Sequence, residues 1–395
     1  MELLKNKENI RKLSTTYIAY MMNGMLVLST GSLLPFLKEA RNLDYAMSGL
    51  IVSLHSIGNL ISTFLSGALF QVIGRKKTVL FMNLFYAISY LLIIIGDNPI
   101  YVALAFFFTG VARGATTNFC NQVVNLVAPG QASLLSGLHA MFAVGAFIFP
   151  LILLGLTTID PSNWIYAVWF MFIMGIINYI LYIFIPDENK GTTKEESKSS
   201  SLGFLKDPLF IIPTCTLFFY LCAEQGVIGW MITYFKDTGL LPNSLSQVTA
   251  SVLWVMILFG RLLTAFLSTK IKKENLLIAM GIGMVTFFFM LLSAKTTPLI
   301  LIGIMGFGFS MAGIYPTAVS FTGTISQKYP LCWSFILTIA TSGSIIMPSI
   351  IGKIAEVSGI FAGMSSIIFV VILDLIFIII LNLYVKNLRK KNINA

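Results

Sequence analysis

Twelve apolar runs, six on each side of one charged stretch, constrain this chain more than any other feature. A bilayer's hydrocarbon layer is about 30 Å thick, and a helix needs about 20 apolar residues to cross it. The runs are Ser14–Leu37, Ala46–Ile73, Thr78–Gly96, Ile100–Val127, Ser133–Thr157 and Trp164–Ile185, then Pro208–Phe235, Leu245–Thr269, Leu276–Ser293, Pro298–Thr324, Leu331–Ala355 and Phe361–Tyr384. Inside lipid, a helix satisfies its own backbone hydrogen bonds. Composition agrees: charged residues make up 11% of the chain, where a soluble domain carries roughly 25%. The predicted class is an all-α membrane protein with twelve transmembrane helices.

The charged stretch, Pro186–Asp207, holds nine charges, four serines and an apolar cluster only near its end. Such a composition cannot offset the entropy of ordering, so it reads as a solvated linker. The segments on either side are copies. At a constant offset of 198 residues, Gly31–Glu39 falls on Gly229–Asp237, and Leu69, Ile73 and Arg75 fall on Leu267, Ile271 and Lys273. Gly110 falls on Gly308, and Gly145 and Pro150 fall on Gly343 and Pro348. The expected organisation is therefore two pseudo-symmetric six-helix bundles, residues 1–185 and 208–395, joined by a linker at 186–207.

The net charge of +10 raises the possibility of nucleic acid, but its placement argues against it. Of 26 Lys and Arg residues, nineteen fall on one side of the predicted membrane and five on the other. This is a topology signal. It places both termini and the linker in the cytoplasm of a multi-pass protein of the plasma membrane. The remaining two, Arg113 and Arg261, lie inside spans. The four cysteines have no metal-like spacing and read as small apolar filler. The first span is too long for a cleavable signal and lacks a small-residue cleavage site. No metal, cofactor or nucleotide loop is expected, nor any nucleophile–base arrangement that would make the chain an enzyme.

Polar residues within the spans carry the functional reading. In the fourth run, Asn118, Asn121, Gln122 and Asn125 recur at steps of three and four, so they share one helix face, which Thr117 and Gly114 extend. Amides are costly against lipid, so this face turns to other helices, as interhelical hydrogen bonds, or to a watery cavity, where adjacent donors and acceptors suit the neighbouring hydroxyls of a sugar. Arg113 lies near the expected midplane and needs a partner. So does Glu224 in the seventh run. The expectation is that the two bridge, and that protonation of Glu224 loosens the bridge. Asn23, His139, Gln225, Trp230, Trp254 and Tyr315 complete the candidate solute contacts. Asn23 also fits as an interhelical hydrogen-bonding residue, His139 as a partner of a neighbouring backbone carbonyl and Trp230 as an interfacial belt residue. His55 reads as a packing histidine. Arg261 and Asp374 are either partners or separate packing residues.

The loop after the second run, Gly67-Ala-Leu-Phe-Gln-Val-Ile-Gly74-Arg75-Lys76-Lys77, resembles the signature loop of the major facilitator superfamily. Gly67, Leu69, Gly74, Arg75 and Lys76 match, whereas Gln71 and Val72 replace the family's acid and first arginine. Further stretches resemble the fucose–galactose–glucose:proton symporter branch. They are the fourth-run Gly/Asn stretch, Leu138-His139, Ala223-Glu224 with Trp230, Gly260-Arg261, Gly313–Thr317 and Gly343 with Pro348–Gly352. The resemblance implies two bundles rocking around a central site, with Gly67, Gly74, Arg75 and Lys76 in a gating loop. The first run lacks the acid that the branch is expected to carry, so coupling would fall to Glu224. The expected function is transport of a small polar solute, a monosaccharide first, with a proton or sodium ion as candidate co-substrate. The expected partners are solute and lipid, and the expected state is a monomer. The alternative is a proton-driven exporter of drugs or lipophilic compounds, and a non-transporting sensor is a third reading.

Overall fold

The computed structural model describes residues 7–127, 132–185, 203–268, 270–323, 325 and 329–393. Every regular element among them is helical. The first half comprises α1 (Lys7–Ala40), α2 (Tyr45–Val72), α3 (Arg75–Ile95), α4 (Pro99–Val127), α5 (Ala132–Ile159) and α6 (Trp164–Phe184). The second comprises α7 (Pro208–Asp237), α8 (Asn243–Leu267), α9 (Lys273–Ser293), α10 (Thr297–Met311), α11 (Ile314–Val319), α12 (Pro330–Ser358), α13 (Ile360–Ser365) and α14 (Ile367–Ile393). Twelve stretches of these helices are long and apolar enough to cross a membrane, so the chain is a multi-pass membrane protein.

Local chemistry sets the helix starts. The Asp44 carboxylate accepts from the Met47 N–H at 2.6 Å, and Asp207 accepts from the Leu209 N–H at 2.8 Å with Pro208 in the first turn. Both are side-chain caps on donors that the helix leaves unpaired. Gly74 opens α3 at φ 86°, a backbone that side-chain-bearing residues rarely adopt. The tenth and twelfth spans, expected as continuous helices, are each built from two. The tenth breaks between Met311 and Ile314, where Pro316 has no N–H to donate to the Ala312 carbonyl one turn earlier.

The chain forms two compact units. One contains Met1–Lys194 and the first turns of α8, Pro242–Ser251. There Gln247 Nε2 donates to the Ser32 carbonyl at 3.3 Å and Ser251 Oγ to that of Phe147 at 2.9 Å. The other contains Glu195–Leu241 and Val252–Ala395. In the first, α1 is buried along most of its length and α5 crosses it closely: a side chain on Gly24 would collide with the Phe142 carbonyl, and one on Gly145 with that of Met21. Small residues permit such backbone contact. In the second, α12 crosses α7 in the same way, with Gly343 against the Phe218 carbonyl and Cys222.

One expectation is corrected here. The stretch read as solvated through Asp207 is packed from Gly203: residues Gly203–Lys206 form a 3-10 turn, and Phe204 is 0% exposed. Its ring meets those of Phe210, Tyr329 and Phe335 at centroid distances of 5.0, 5.7 and 5.5 Å. The apolar cluster at the linker's end is core because one large aromatic removes enough surface from water to anchor a short turn. Residues 186–202 lie outside the described residues.

Candidate functional site

In the first unit a polar cluster links α1, α2 and α4. Arg113 Nη1 lies 3.2 Å from His55 Nε2, and His55 Nδ1 lies 2.8 Å from Thr109 Oγ1. The Thr109 hydroxyl donates its one proton to the Phe106 carbonyl at 2.6 Å. It therefore accepts from His55 Nδ1–H, which leaves Nε2 as the lone-pair acceptor for the guanidinium. The chain of bonds assigns a neutral, Nδ1-protonated tautomer. His55 is buried with both ring nitrogens hydrogen-bonded, as expected of a satisfied packing histidine, and one of those bonds goes to the intramembrane arginine.

Tyr20 of α1 is the hub of the same cluster and was not singled out from the sequence. It is 3% exposed and interacts with Asn121, Thr117 and Arg113. Its ring meets His139 edge-on at 5.4 Å and Phe142 at 5.5 Å. Asn23 is buried and donates to Thr117 Oγ1 at 3.1 Å, and Asn121 donates to the Thr117 carbonyl at 2.7 Å. Asn23 thus ties α1 to α4, the interhelical role the sequence allowed.

The α4 amides divide between two edges. Thr117 and Asn121 face α1. Asn118 and Gln122, one turn apart, face α2 and the start of α3. Asn118 Nδ2 donates to Ser66 Oγ at 3.0 Å and to the Thr63 carbonyl at 3.3 Å, while Gln122 Nε2 donates to Asn118 Oδ1 at 3.0 Å. Gln122 Oε1 accepts from Arg75 Nε at 3.1 Å. Gly67 lies beside Asn118, where an added Cβ would sit 3.7 Å from Nδ2. The gating-loop candidates and half of the amide stripe are therefore one junction. Lys76 sits half-buried in the first turn of α3. The side chain of Asn125 lies outside the described residues.

In the second unit Tyr220 donates to Glu224 Oε1 at 2.9 Å, and the Tyr220 and Tyr315 rings lie 6.0 Å apart. Arg261 is within electrostatic range of the Tyr220 hydroxyl. This decides the open question of Arg261 and Asp374: among the described residues Asp374 has no hydrogen bond or ion pair, so the two are not partners. Arg113 and Glu224 each have a partner within their own unit, His55 and Tyr220. Gln225 and Trp254 are buried. Trp230 is fully buried and donates from Nε1 to the Pro348 carbonyl at 3.1 Å, so it pins α7 to α12 instead of lying in an interfacial belt.

A second polar ladder also escaped the sequence reading. Asn178 Nδ2 donates to Asn83 Oδ1 at 3.0 Å, and Asn83 Nδ2 to Thr116 Oγ1 at 2.7 Å, joining α6, α3 and α4. Single amides in long apolar runs gave no periodic signal. Only their spatial convergence marks them.

Comparison with known proteins agrees with this architecture. A family model described as Major Facilitator Superfamily matches residues 16–348. The protein TsgA homolog of Yersinia enterocolitica is 24% identical over 375 residues, spanning 92% of this chain and 93% of that protein. The TsgA homolog of Buchnera aphidicola is 24% identical over 380 residues, spanning 94% and 96%. Among solved structures, a mutant of the nucleoside transporter NupG superposes with a TM-score of 0.78 at 12% identity, covering 93% of this chain and 98% of that one. A bacterial homolog of the human lysosomal transporter Spinster, inward-facing and occupied, gives 0.75 at 14% identity, covering 93% and 95%.

Proposed function

The chain belongs to the Major Facilitator Superfamily, and within that family of transporters we propose that it moves a monosaccharide across the plasma membrane by alternating access, coupled to protons through Glu224. Both termini face the cytoplasm in this reading, as the Lys/Arg asymmetry favours. One observation carries the substrate class: Arg113, Asn121, Tyr20 and His139 converge in the first unit, offering a cation, an amide and an aromatic edge to a polyhydroxylated ring. Glu224 supplies a carboxyl to the Tyr220–Tyr315 cluster, and its hydrogen bond to Tyr220 is one that protonation would reorganise. Arg113 is its proposed counter-charge in the transport cycle.

The test is uptake into proteoliposomes holding the purified full chain, with a panel of labelled hexoses and nucleosides, with and without a pH gradient. The expected result is saturable uptake of a hexose, driven uphill by protons. Glu224→Gln abolishes accumulation and spares exchange. Unchanged pH-dependent accumulation in that variant removes Glu224 from the coupling role. Saturable uptake of nucleosides alone reassigns the solute. Proton-driven efflux of lipophilic compounds, with no uptake from the panel, favours the exporter reading instead.

A further inference from the structure

Asp374 lies on α14 and is 0% exposed, and neither carboxyl oxygen has a hydrogen-bond partner among the described residues. The helix packs against α7 and α9. From α7 the titratable group near the carboxyl is the Cys222 thiol, itself buried and seated against Gly343 of α12. From α9, Gly281 faces the neighbouring Leu375 and Ile378 side chains. No cation acts on the carboxyl among the described residues, and Arg261 acts on Tyr220 instead. Glu224 is two positions from Cys222 on α7, which on a helix points it to a different face, toward Tyr220.

An ionised carboxylate in this seam would have neither donor nor counter-charge, a state that buried acids avoid by taking up a proton. Nor does the scaffold call for an acid here: the position 198 residues earlier in the first repeat is Ile176. A buried polar group with no partner and no structural return is a candidate for a role in another state of the molecule. We propose that Asp374 is a second proton-binding site, separate from Glu224, which keeps its proton while the α7–α14 seam is closed and releases it when that seam admits water.

The test needs no solute. Infrared spectra of the purified full chain in lipid vesicles are compared for wild type, Asp374→Asn and Glu224→Gln at neutral pH. The expected result is a carboxylic-acid C=O band in wild type that is lost in Asp374→Asn and retained in Glu224→Gln. On alkaline titration that band disappears together with a rise in Cys222 labelling by N-ethylmaleimide. In Asp374→Asn the labelling rises only as the thiol's own ionisation dictates. Absence of the band at neutral pH overturns the proposal, as does a band that fades with no accompanying change in Cys222 labelling. Asp374→Leu is the folding control: if it unfolds where Asp374→Asn does not, the carboxyl is a packing element and the proposal fails. Failure of the hexose assay leaves these outcomes unaffected, so the two readings fall separately.

Discussion

In the first repeat Gly110 lies on the carbonyl of His55, and 198 residues later Gly308 lies on the carbonyl of Leu253. Gly145 meets Met21 and Met25, and Gly343 meets Phe218 and Cys222. The two repeats thus use the same glycines for close backbone approach, Gly110 and Gly308 at corresponding residues and Gly145 and Gly343 at residues one position apart. Their polar side chains differ. His55, Arg113, Asn23 and Tyr20 stand opposite Leu253, Met311, Leu221 and Phe218, while Glu224 and Asp374 stand opposite Leu26 and Ile176. A helix pair that closes with leucine in one copy does not require histidine in the other. The glycines therefore belong to the scaffold, and the unmatched polar groups are the better candidates for chemistry.

The strongest way to break this comparison is at the shared glycines. Gly145→Val drives a branched side chain into the Met21 carbonyl and the Met25 N–H, and Gly343→Val does the same to Phe218. Each is expected to cost about 3 kcal/mol, the upper range for overpacking a closed interface. Thermal unfolding of the detergent-solubilised protein reads it. The Gly145 variant should be the worse, because Gly343 has a movable thiol among its neighbours. A variant that melts like wild type would remove that crossing from the common scaffold.

Next in size is the exchange of chemistry between copies. Giving the first repeat the residues of the second, His55→Leu with Arg113→Met, should leave the bundle folded and lower uptake at least tenfold, or about 1.4 kcal/mol in transition-state terms. His55→Leu alone should be less stable than the double variant, because Arg113 loses its His55 acceptor. A double-mutant cycle should return a coupling of about 0.5–3 kcal/mol. A double variant that fails to fold would make the pair part of the scaffold and weaken the distinction between the repeats.

What the sequence makes legible follows the physics of each signal. The twelve spans are legible because crossing lipid demands an unbroken apolar run, and the repeat because backbone contact demands glycine. Helix ends are less so: the first span reads as Ser14–Leu37 but its helix runs Lys7–Ala40, since helices continue past the apolar layer. The polar face of α4 is visible as a stripe, but not its division between α1 and α2, because that depends on how two neighbours are seated around it. Tyr20 is hidden among fourteen tyrosines and thirty-two phenylalanines that also fill ordinary spans. The Arg75–Gln122 contact joins residues 47 apart, and no local pattern encodes it. Phe204 sits in a charged stretch whose composition outvotes one aromatic ring.

The smallest expected effect lies where the repeats solve one turn in two ways. Between α5 and α6, Asp160 Oδ1 accepts from the Ser162 N–H at 2.8 Å and the Ser162 hydroxyl at 2.7 Å. At the matching junction between α12 and α13 the chain turns through Gly359 at φ 83° and ψ 160°, with no side-chain cap. The Ser162 hydroxyl and N–H hold the Asp160 carboxyl below the usual carboxylate range. Its folded value is therefore lower than its unfolded one. The stabilisation is present above the unfolded value and is lost as pH falls through the folded value. Asp160→Ala should then differ slightly from wild type at neutral pH and converge with it in acid. Gly359→Ala forces a side chain into a backbone region nearly reserved for glycine and should cost about 1–3 kcal/mol at every pH. Melting curves of both variants across that range separate the two devices: an Asp160→Ala deficit that persists in acid would mean that the first turn, like the second, is held by backbone geometry and not by charge.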